Sequence, residues 1–234
     1  MPKLGLIVPS SNTAMEPEFA QALQGSNISL HTTRIPLKNV TIKSLEAMEK
    51  ETKAAAKLLK DADVDLVVFG CTSGSLFRGS GYDLVLAKQI SEASGCHVVT
   101  TAGAVVDALK ALEAHNISLA TPYIAEVNAR EIDFLSQSGF QIMKTESLGI
   151  KENLEIGRLT PQDASNLAKK ANTPQAQAIF VSCTNFRTFQ AIPLLEEQLA
   201  KPVVSSNSAT LWATQKAMKT KINPNLGKLF NINV

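Results

Sequence analysis

The sequence predicts an α/β protein built from two pseudo-symmetric halves. Each half is a mostly parallel sheet flanked by helices, and the active site lies in the cleft between them. Three observations lead there. Short apolar runs alternate with longer helical patterns along the 234 residues, as in strands joined by crossover helices. Two stretches share one form: DLVVFGCTSGS, Asp65–Ser75, and AIFVSCTNFR, Ala178–Arg187, each end an apolar run on a small residue followed by Cys-Thr. The offset of 112 residues between Cys71 and Cys183 carries Gly5–Val8 onto Ile117–Ala120 and Pro9-Ser10-Ser11 onto Thr121-Pro122-Tyr123. A third pair, VVTTAGA from Val98 and VVSSNSA from Val203, follows in the same order at a slightly shorter spacing, which reads as an internal duplication.

The elements follow in order. Leu4–Val8 reads as a strand, the Ser-Ser-Asn-Thr segment as a turn, Glu16–Leu23 as a helix and Ile28–Arg34 as a strand. Ser44–Lys60 reads as one helix, with Leu45, Met48, Ala55, Leu58 and Leu59 roughly on one face. Leu66–Phe69 is wholly apolar, like a parallel strand buried on both faces. Tyr82–Ser94 reads as a helix, His97–Val99 as a strand and Ala102–His115 as a helix. The pattern then restarts: strand Ile117–Ala120, helix Ile124–Ser138, strand Gln141–Ser147. Pro161–Ala171 is a helix opened by Thr160, with proline in its first turn. Strand Ala178–Val181, helix Ala191–Leu199, strand Pro202–Val204 and helix Ala209–Met218 complete the second half. The expected domains are residues 1–112 with 215–234, and residues 113–214. The tail Asn223–Val234, with its Pro224 and Gly227, is expected to pack back across the first half.

Composition narrows the function. The net charge is +2, with no basic block, which argues against nucleic acid or an anionic membrane as partner. No apolar run approaches the roughly 18 residues of a membrane span, and MPKLGLIVPSSN reads as a first strand rather than a signal peptide. Three cysteines in a chain of this size fit free thiols in a reducing cytoplasm. No Cys pair has metal-site spacing, and His31, His97 and His115 are scattered, so no metal is expected. Neither GxGxxG nor GxxxxGK[ST] follows the first strand, which argues against a nucleotide enzyme, and no cofactor is implied.

The cysteines carry the chemistry. Ligands of open parallel sheets bind at the carboxyl ends of strands. If the halves face each other, Cys71 and Cys183 approach one substrate from opposite sides. A thiolate is a nucleophile, and a thiol of lowered pKa is a usable acid. Such a pair could move protons on two faces of one carbon, or add covalently with one sulfur while the other moves a proton. Thr72, Ser73 and Ser75 after Cys71, and Thr184 and Asn185 after Cys183, offer hydroxyl and N–H donors for a carboxylate or an enediolate-like charge. Cys96 lacks the repeated context and reads as structural, and His97 and His115 as caps or surface groups.

These residues bring a family resemblance. GLIVPSSNTAMEPE, FGCTSGSLFRG, LATPYIAEVNAR, SLGIKENLEIG, VSCTNFRT, IPLLEEQLAKPVVSSN and GKLF together resemble the aspartate/glutamate racemase superfamily. The branch is that of maleate cis-trans isomerases, arylmalonate decarboxylases and ectoine-utilisation relatives. The resemblance covers essentially the whole chain. It implies two flavodoxin-like halves, no cofactor, a small dicarboxylate or α-substituted carboxylic acid as substrate, and a possible homodimer.

Residue by residue, it implies that Asn12 of the PSSN turn, Tyr123 of TPY and Asn153 of KENLEIG hold carboxylates; with Ser11 beside Asn12 and the donors Thr72, Ser73, Thr184 and Asn185, they are the expected substrate-binding residues. The two cysteines would be catalytic. In maleate isomerases the first cysteine adds to an alkene carbon and the second donates, then retrieves, a proton at its neighbour. Rotation about the new single bond and elimination give fumarate. SLFRG, ATPYIAEVN and PVVSSN resemble the decarboxylases, which carry glycine where this chain has Cys71. Cys71 therefore favours an isomerase or a two-cysteine racemase over a simple decarboxylase. Arg187 is either a carboxylate anchor or a surface ion-pair residue. A non-catalytic dicarboxylate-binding protein on the same fold stands as the alternative from another class.

Overall fold

The computed structural model describes residues 1–222 and 225–232. The first sheet is formed by β1 (Lys3–Pro9), β2 (Ser29–Ile35), β3 (Leu66–Phe69) and β4 (His97–Thr100). The second is formed by β5 (Asn116–Tyr123), β6 (Gln141–Ile150), β7 (Ala178–Val181) and β8 (Val203–Ser205). Their orders are β2-β1-β3-β4 and β6-β5-β7-β8, with every pairing parallel. The same offset of 112 carries β3 onto β7 residue for residue. In each sheet the order reverses between the first and third strands. That switch point is where open α/β sheets leave a crevice, and each cysteine follows the third strand of its sheet.

Helices connect the strands: α1 (Met15–Ala22), α2 (Ile42–Glu49), α3 (Thr52–Asp61), α4 (Thr72–Leu76), α5 (Tyr82–Ser94) and α6 (Thr101–Ala111) in the first half. They continue as α7 (Ala125–Gln137), α8 (Asn153–Arg158), α9 (Pro161–Ala171), α10 (Ile192–Leu199) and α11 (Ser206–Met218). Local chemistry sets several starts. Thr41, Thr100, Thr160 and Ser205 each accept a backbone N–H in the first turn of α2, α6, α9 and α11. Thr160 and Ser205 complete capping boxes. Gly81 and Gly95 bracket α5 in left-handed conformations. One apolar cluster joins the halves, running from Leu4, Leu6 and Val68 through Val105 and Leu109 of α6 to Trp212 of α11 and Leu119 and Phe180 of the second sheet.

The single helix expected over Ser44–Lys60 is two. Thr52 Oγ1 donates to the Glu49 carbonyl at 2.6 Å and Glu51 N to Met48 O at 3.0 Å, so local bonds tighten and break the turn. The break leaves Leu58 exposed, while Leu45 and Met48 of α2 pack in one cluster with Cys71. The strand expected at Gln141–Ser147 runs on to Ile150, and the short helices α4 and α8 fall where the sequence predicts no element. The described tail, including the 3₁₀ turn Lys228–Asn231, packs on α11 and β8, hydrogen-bonds Glu196 of α10 and adds Leu226 and Leu229 to the cluster that joins the halves. Asn223, Pro224, Asn233 and Val234 lie outside the described residues.

Candidate active site

Two buried thiols face each other's loops across the contact between the sheets. Cys71 is 3% and Cys183 4% exposed. Cys71 lies two residues past β3 in extended backbone and caps α4, its Sγ accepting from Gly74 N at 3.3 Å with Ser73 Oγ at 3.8 Å. A Cβ on Gly74 would stand 2.8 Å from that sulfur and 2.5 Å from Met48 Cε, so only glycine brings this N–H so close. Cys183 has φ +100°, a conformation that side chains rarely adopt, and its Sγ accepts from Asn185 N at 3.4 Å.

The loops are stitched together across the halves. Asn12 Nδ2 donates to Thr184 Oγ1 at 3.1 Å, and that hydroxyl donates to the Gly70 carbonyl at 3.1 Å. Asn12 Oδ1 accepts from Ala14 N and Met15 N, both at 3.0 Å, which fixes the turn ahead of α1. Thr13 N donates to Asn185 Oδ1 at 2.7 Å, and Asn185 Nδ2 to the Asn153 carbonyl at 2.6 Å. Asn153 Nδ2 reaches Ser11 Oγ at 2.8 Å. Tyr123 ends β5, is 1% exposed and presents its hydroxyl to Cys183. The structure thus gathers Ser11, Asn12, Cys71, Thr72, Ser73, Tyr123, Asn153, Cys183, Thr184 and Asn185 at the carboxyl ends of β1, β3, β5, β6 and β7. Ser75 is spent structurally, donating to the Cys71 carbonyl and accepting from Ala102 N.

Arg187 binds main-chain carbonyls next to the second cysteine's loop. Its guanidinium donates to the carbonyls of Gly157 and Leu159 and, at 3.5 Å, of Thr13, tying the α8 region to the turn after β1. Among the described residues no three His, Cys, Asp or Glu side chains gather into a metal-binding group.

Further polar side chains surround the two cysteines. Ser206 Oγ, at the start of α11, accepts from Cys183 N at 3.0 Å and from Thr72 Oγ1 at 2.8 Å. Glu131 of α7 is fully buried and accepts from Ser182 Oγ at 2.5 Å. Glu18 of α1 accepts from Thr188 N, Phe189 N and Asn207 Nδ2. The repeat VVSSNSA marks Ser206 and Asn207 in sequence, whereas no local pattern marks the two glutamates.

The electrostatics follow from burial. It pushes the Cys71 thiol up to about 11, against the Gly74 N–H and the Ser73 hydroxyl. It pushes Cys183 up to about 12, against the Tyr123 hydroxyl and the Asn185 N–H, with negative charge on Cys71 or Glu131 adding to the rise. Tyr123 is held well above the usual phenol range by burial, then by charge on Cys183 and Glu131, and stays a neutral donor. Burial lifts Glu131 to about 7, opposed by Ser182. The resting pair is two neutral thiols among hydrogen-bond donors, suited to a carboxylate ligand.

A sequence model of the arylmalonate decarboxylase family matches residues 4–230. The chain belongs to the arylmalonate decarboxylase family. It is 30% identical to the maleate isomerase of Geobacillus stearothermophilus over 98% of this chain and 97% of that one. It is 29% identical to the arylmalonate decarboxylase of Bordetella bronchiseptica, again over 98% and 97%. The solved structure of a cysteine-to-alanine variant of the maleate isomerase Iso from Pseudomonas putida S16, with maleate, superposes at a TM-score of 0.94, with 27% identity and coverage of 99% and 98%. Family membership accounts for the paired sheets, and it leaves the reaction to be argued from the cysteines.

Proposed function

We propose that the chain is a cofactor-independent maleate cis-trans isomerase that converts maleate to fumarate with two cysteines. The observation that carries this reading is the presence of a buried thiol at the end of both β3 and β7, with the two loops joined through one hydroxyl. Proton delivery to an enediolate needs one acid, so the decarboxylase reading leaves Cys71 without work. Addition and elimination across a double bond need a nucleophile and an acid, one on each carbon.

In the proposed cycle Cys71 reacts from its small thiolate fraction, the thiol proton having passed to solvent, adds to one alkene carbon of maleate and forms a C–S bond. The electron pair of the double bond takes the Cys183 proton at the neighbouring carbon, leaving Cys183 as thiolate. The former double bond is now single and rotates. Cys183 removes a proton from that neighbouring carbon, the C–S bond breaks, and fumarate leaves with both sulfurs in their starting states. Tyr123, the second amide hydrogens of Asn12 and Asn153, the Ser73 hydroxyl and the backbone N–H groups of Thr72 and Thr184 hold the two carboxylates, while Asn185 and Ser11 orient Asn153 and the Thr72 and Thr184 hydroxyls stay on Ser206 and Gly70. Donors fixed before reaction stabilise the developing charge without reorganisation.

Three buried or half-buried free cysteines support a reducing, cytoplasmic setting, and the family resemblance supports a homodimer. Among the described residues no helix is long and apolar enough to cross a membrane. The test is turnover by single variants. Cys71→Ser and Cys183→Ser each abolish fumarate formation if the reading holds. Near wild-type turnover by either one overturns it.

A further inference from the structure

Glu18 is a carboxylate of the first half buried against the loop that follows the second cysteine. Its Oε1 accepts from Thr188 N at 2.6 Å and from Phe189 N at 2.8 Å. Its Oε2 accepts from Asn207 Nδ2 at 2.6 Å, and the same amide nitrogen donates to the Thr184 carbonyl at 3.1 Å. Both ends of the segment Thr184–Phe189 are therefore fastened to one side chain, directly at its far end and through Asn207 next to Cys183. Cys183 needs such fastening, because φ +100° is strained for a residue with a side chain and persists only where the surroundings over-determine it.

We propose that Glu18 is the positioning residue of Cys183: its carboxylate is a latch that reaches across the cleft and holds the strained cysteine in register with Cys71. The inference rests on the two-cysteine isomerase reading and adds to it a group that never touches substrate.

The latch is specific to the ionised form. As a carboxylate, Glu18 meets three donors with acceptors only. A proton on it sets a donor against a donor. Among the described residues Asn207 Oδ1 has no hydrogen-bond partner, so the amide relieves the clash by turning over, which withdraws Nδ2 from the Thr184 carbonyl. Burial lifts Glu18 to about 7, opposed by the Phe189 N–H, the Asn207 amide, the Thr188 N–H and the charge of Arg187. Other charges around it are engaged elsewhere. Glu16 on the same helix pairs with Arg34, and Lys216 of the packed helix α11 stands over the Trp212 ring. The latch is closed above neutrality and opens as pH falls through about 7.

The experiment compares wild type with Glu18→Gln and Asn207→Ala from pH 5 to 9, reading maleate turnover and the labelling of Cys183 relative to Cys71 by dipyridyl disulfide. Taking the ratio of wild-type to E18Q turnover cancels thiol ionisation. We expect that ratio to be about tenfold to a hundredfold at pH 8, mostly in kcat rather than KM, and to fall towards one at pH 5. Asn207→Ala loses a similar factor at pH 8, and Glu18→Asp recovers part of it. In both E18Q and N207A, Cys183 is labelled faster relative to Cys71 at pH 8 than in wild type. A wild-type to E18Q turnover ratio that is flat across pH, or an unchanged labelling ratio in a folded E18Q or N207A protein, overturns the latch. If wild type leaves maleate untouched, the isomerase reading fails, and the labelling ratio still decides the latch.

Discussion

Cys183 donates its backbone N–H to Ser206 Oγ at 3.0 Å, and the same oxygen accepts the Thr72 hydroxyl at 2.8 Å. One buried side chain thus links the residue after the first cysteine to the second cysteine itself. A shift of either loop is transmitted to the other. Proton and carbon chemistry at two sulfurs demands such registration, because small misplacements weaken both the addition and the proton step.

Ser206→Ala removes the bridge and leaves the Cys183 N–H and the Thr72 hydroxyl without this buried partner. The expected result is a loss of about 1–3 kcal/mol in unfolding free energy and a kcat lower by about tenfold to a hundredfold. Denaturant unfolding and steady-state kinetics read the two effects separately. Unchanged kcat in a destabilised protein would show that the bridge serves the fold alone.

Cys71→Ser and Cys183→Ser each cut turnover by about three orders of magnitude or more, since a serine hydroxyl replaces neither the nucleophile nor the acid at neutral pH. Cys96→Ser leaves it unchanged. Cys96 is half-buried where α5 meets β4, with its Sγ 3.4 Å from Ser94 Oγ, away from both site cysteines. Discontinuous kinetic assays of the three purified variants check this.

The free protein is slow to alkylate at neutral pH. Burial holds Cys71 at about 11 and Cys183 at about 12, so only about one Cys71 in a thousand is a thiolate at pH 8. In a Cys96→Ser background, iodoacetamide labelling of either cysteine rises about tenfold per pH unit between 7 and 10. A labelling rate that levels off below pH 9 would contradict neutral resting thiols.

Glu131 makes stability depend on pH. Its folded value of about 7 lies above the ordinary 4.5, so the buried group favours its neutral form. The stability that form contributes is full below about 4.5 and is lost as pH rises through about 7. The loss is about 3 kcal/mol in total. Glu131→Gln cannot ionise, so its unfolding free energy relative to wild type improves by about that amount from pH 4.5 to pH 8. Urea unfolding at the two pH values measures it, and an equal difference at both would refute the assignment.

Local patterns made much of the fold legible. The run at Ala178–Val181 is a strand with those bounds because four apolar residues suit a parallel strand covered on both faces. Tyr82–Ser94 and Pro161–Ala171 are helices as read, the first between two left-handed glycines and the second behind a Thr160 capping box. The break after Glu49 was hidden, because it depends on a threonine hydroxyl competing with the helix rather than on a glycine or proline.

The site divides in the same way. Cys71 and Cys183 stood out because the duplication repeats their strand ends, and Asn12, Tyr123 and Asn153 because they lie in turns of the resembled family. Glu18 and Glu131 sit on amphipathic helices, where a glutamate in sequence reads as a solvated face. Their burial is set by partners 170 and 51 residues away, Thr188 and Ser182, which leave no mark on the local pattern. Arg187 was ambiguous for a related reason, since a guanidinium that binds carbonyls looks in sequence like one that binds carboxylates.

The most direct measurement is proton NMR of the reduced protein with maleate in aqueous buffer. The maleate vinyl signal is expected to decline as that of fumarate grows, and Cys71→Ser and Cys183→Ser each to abolish the change. Maleate that stays intact while the same protein releases carbon dioxide from an arylmalonate, or exchanges the α-proton of a chiral acid, would contradict the isomerase reading.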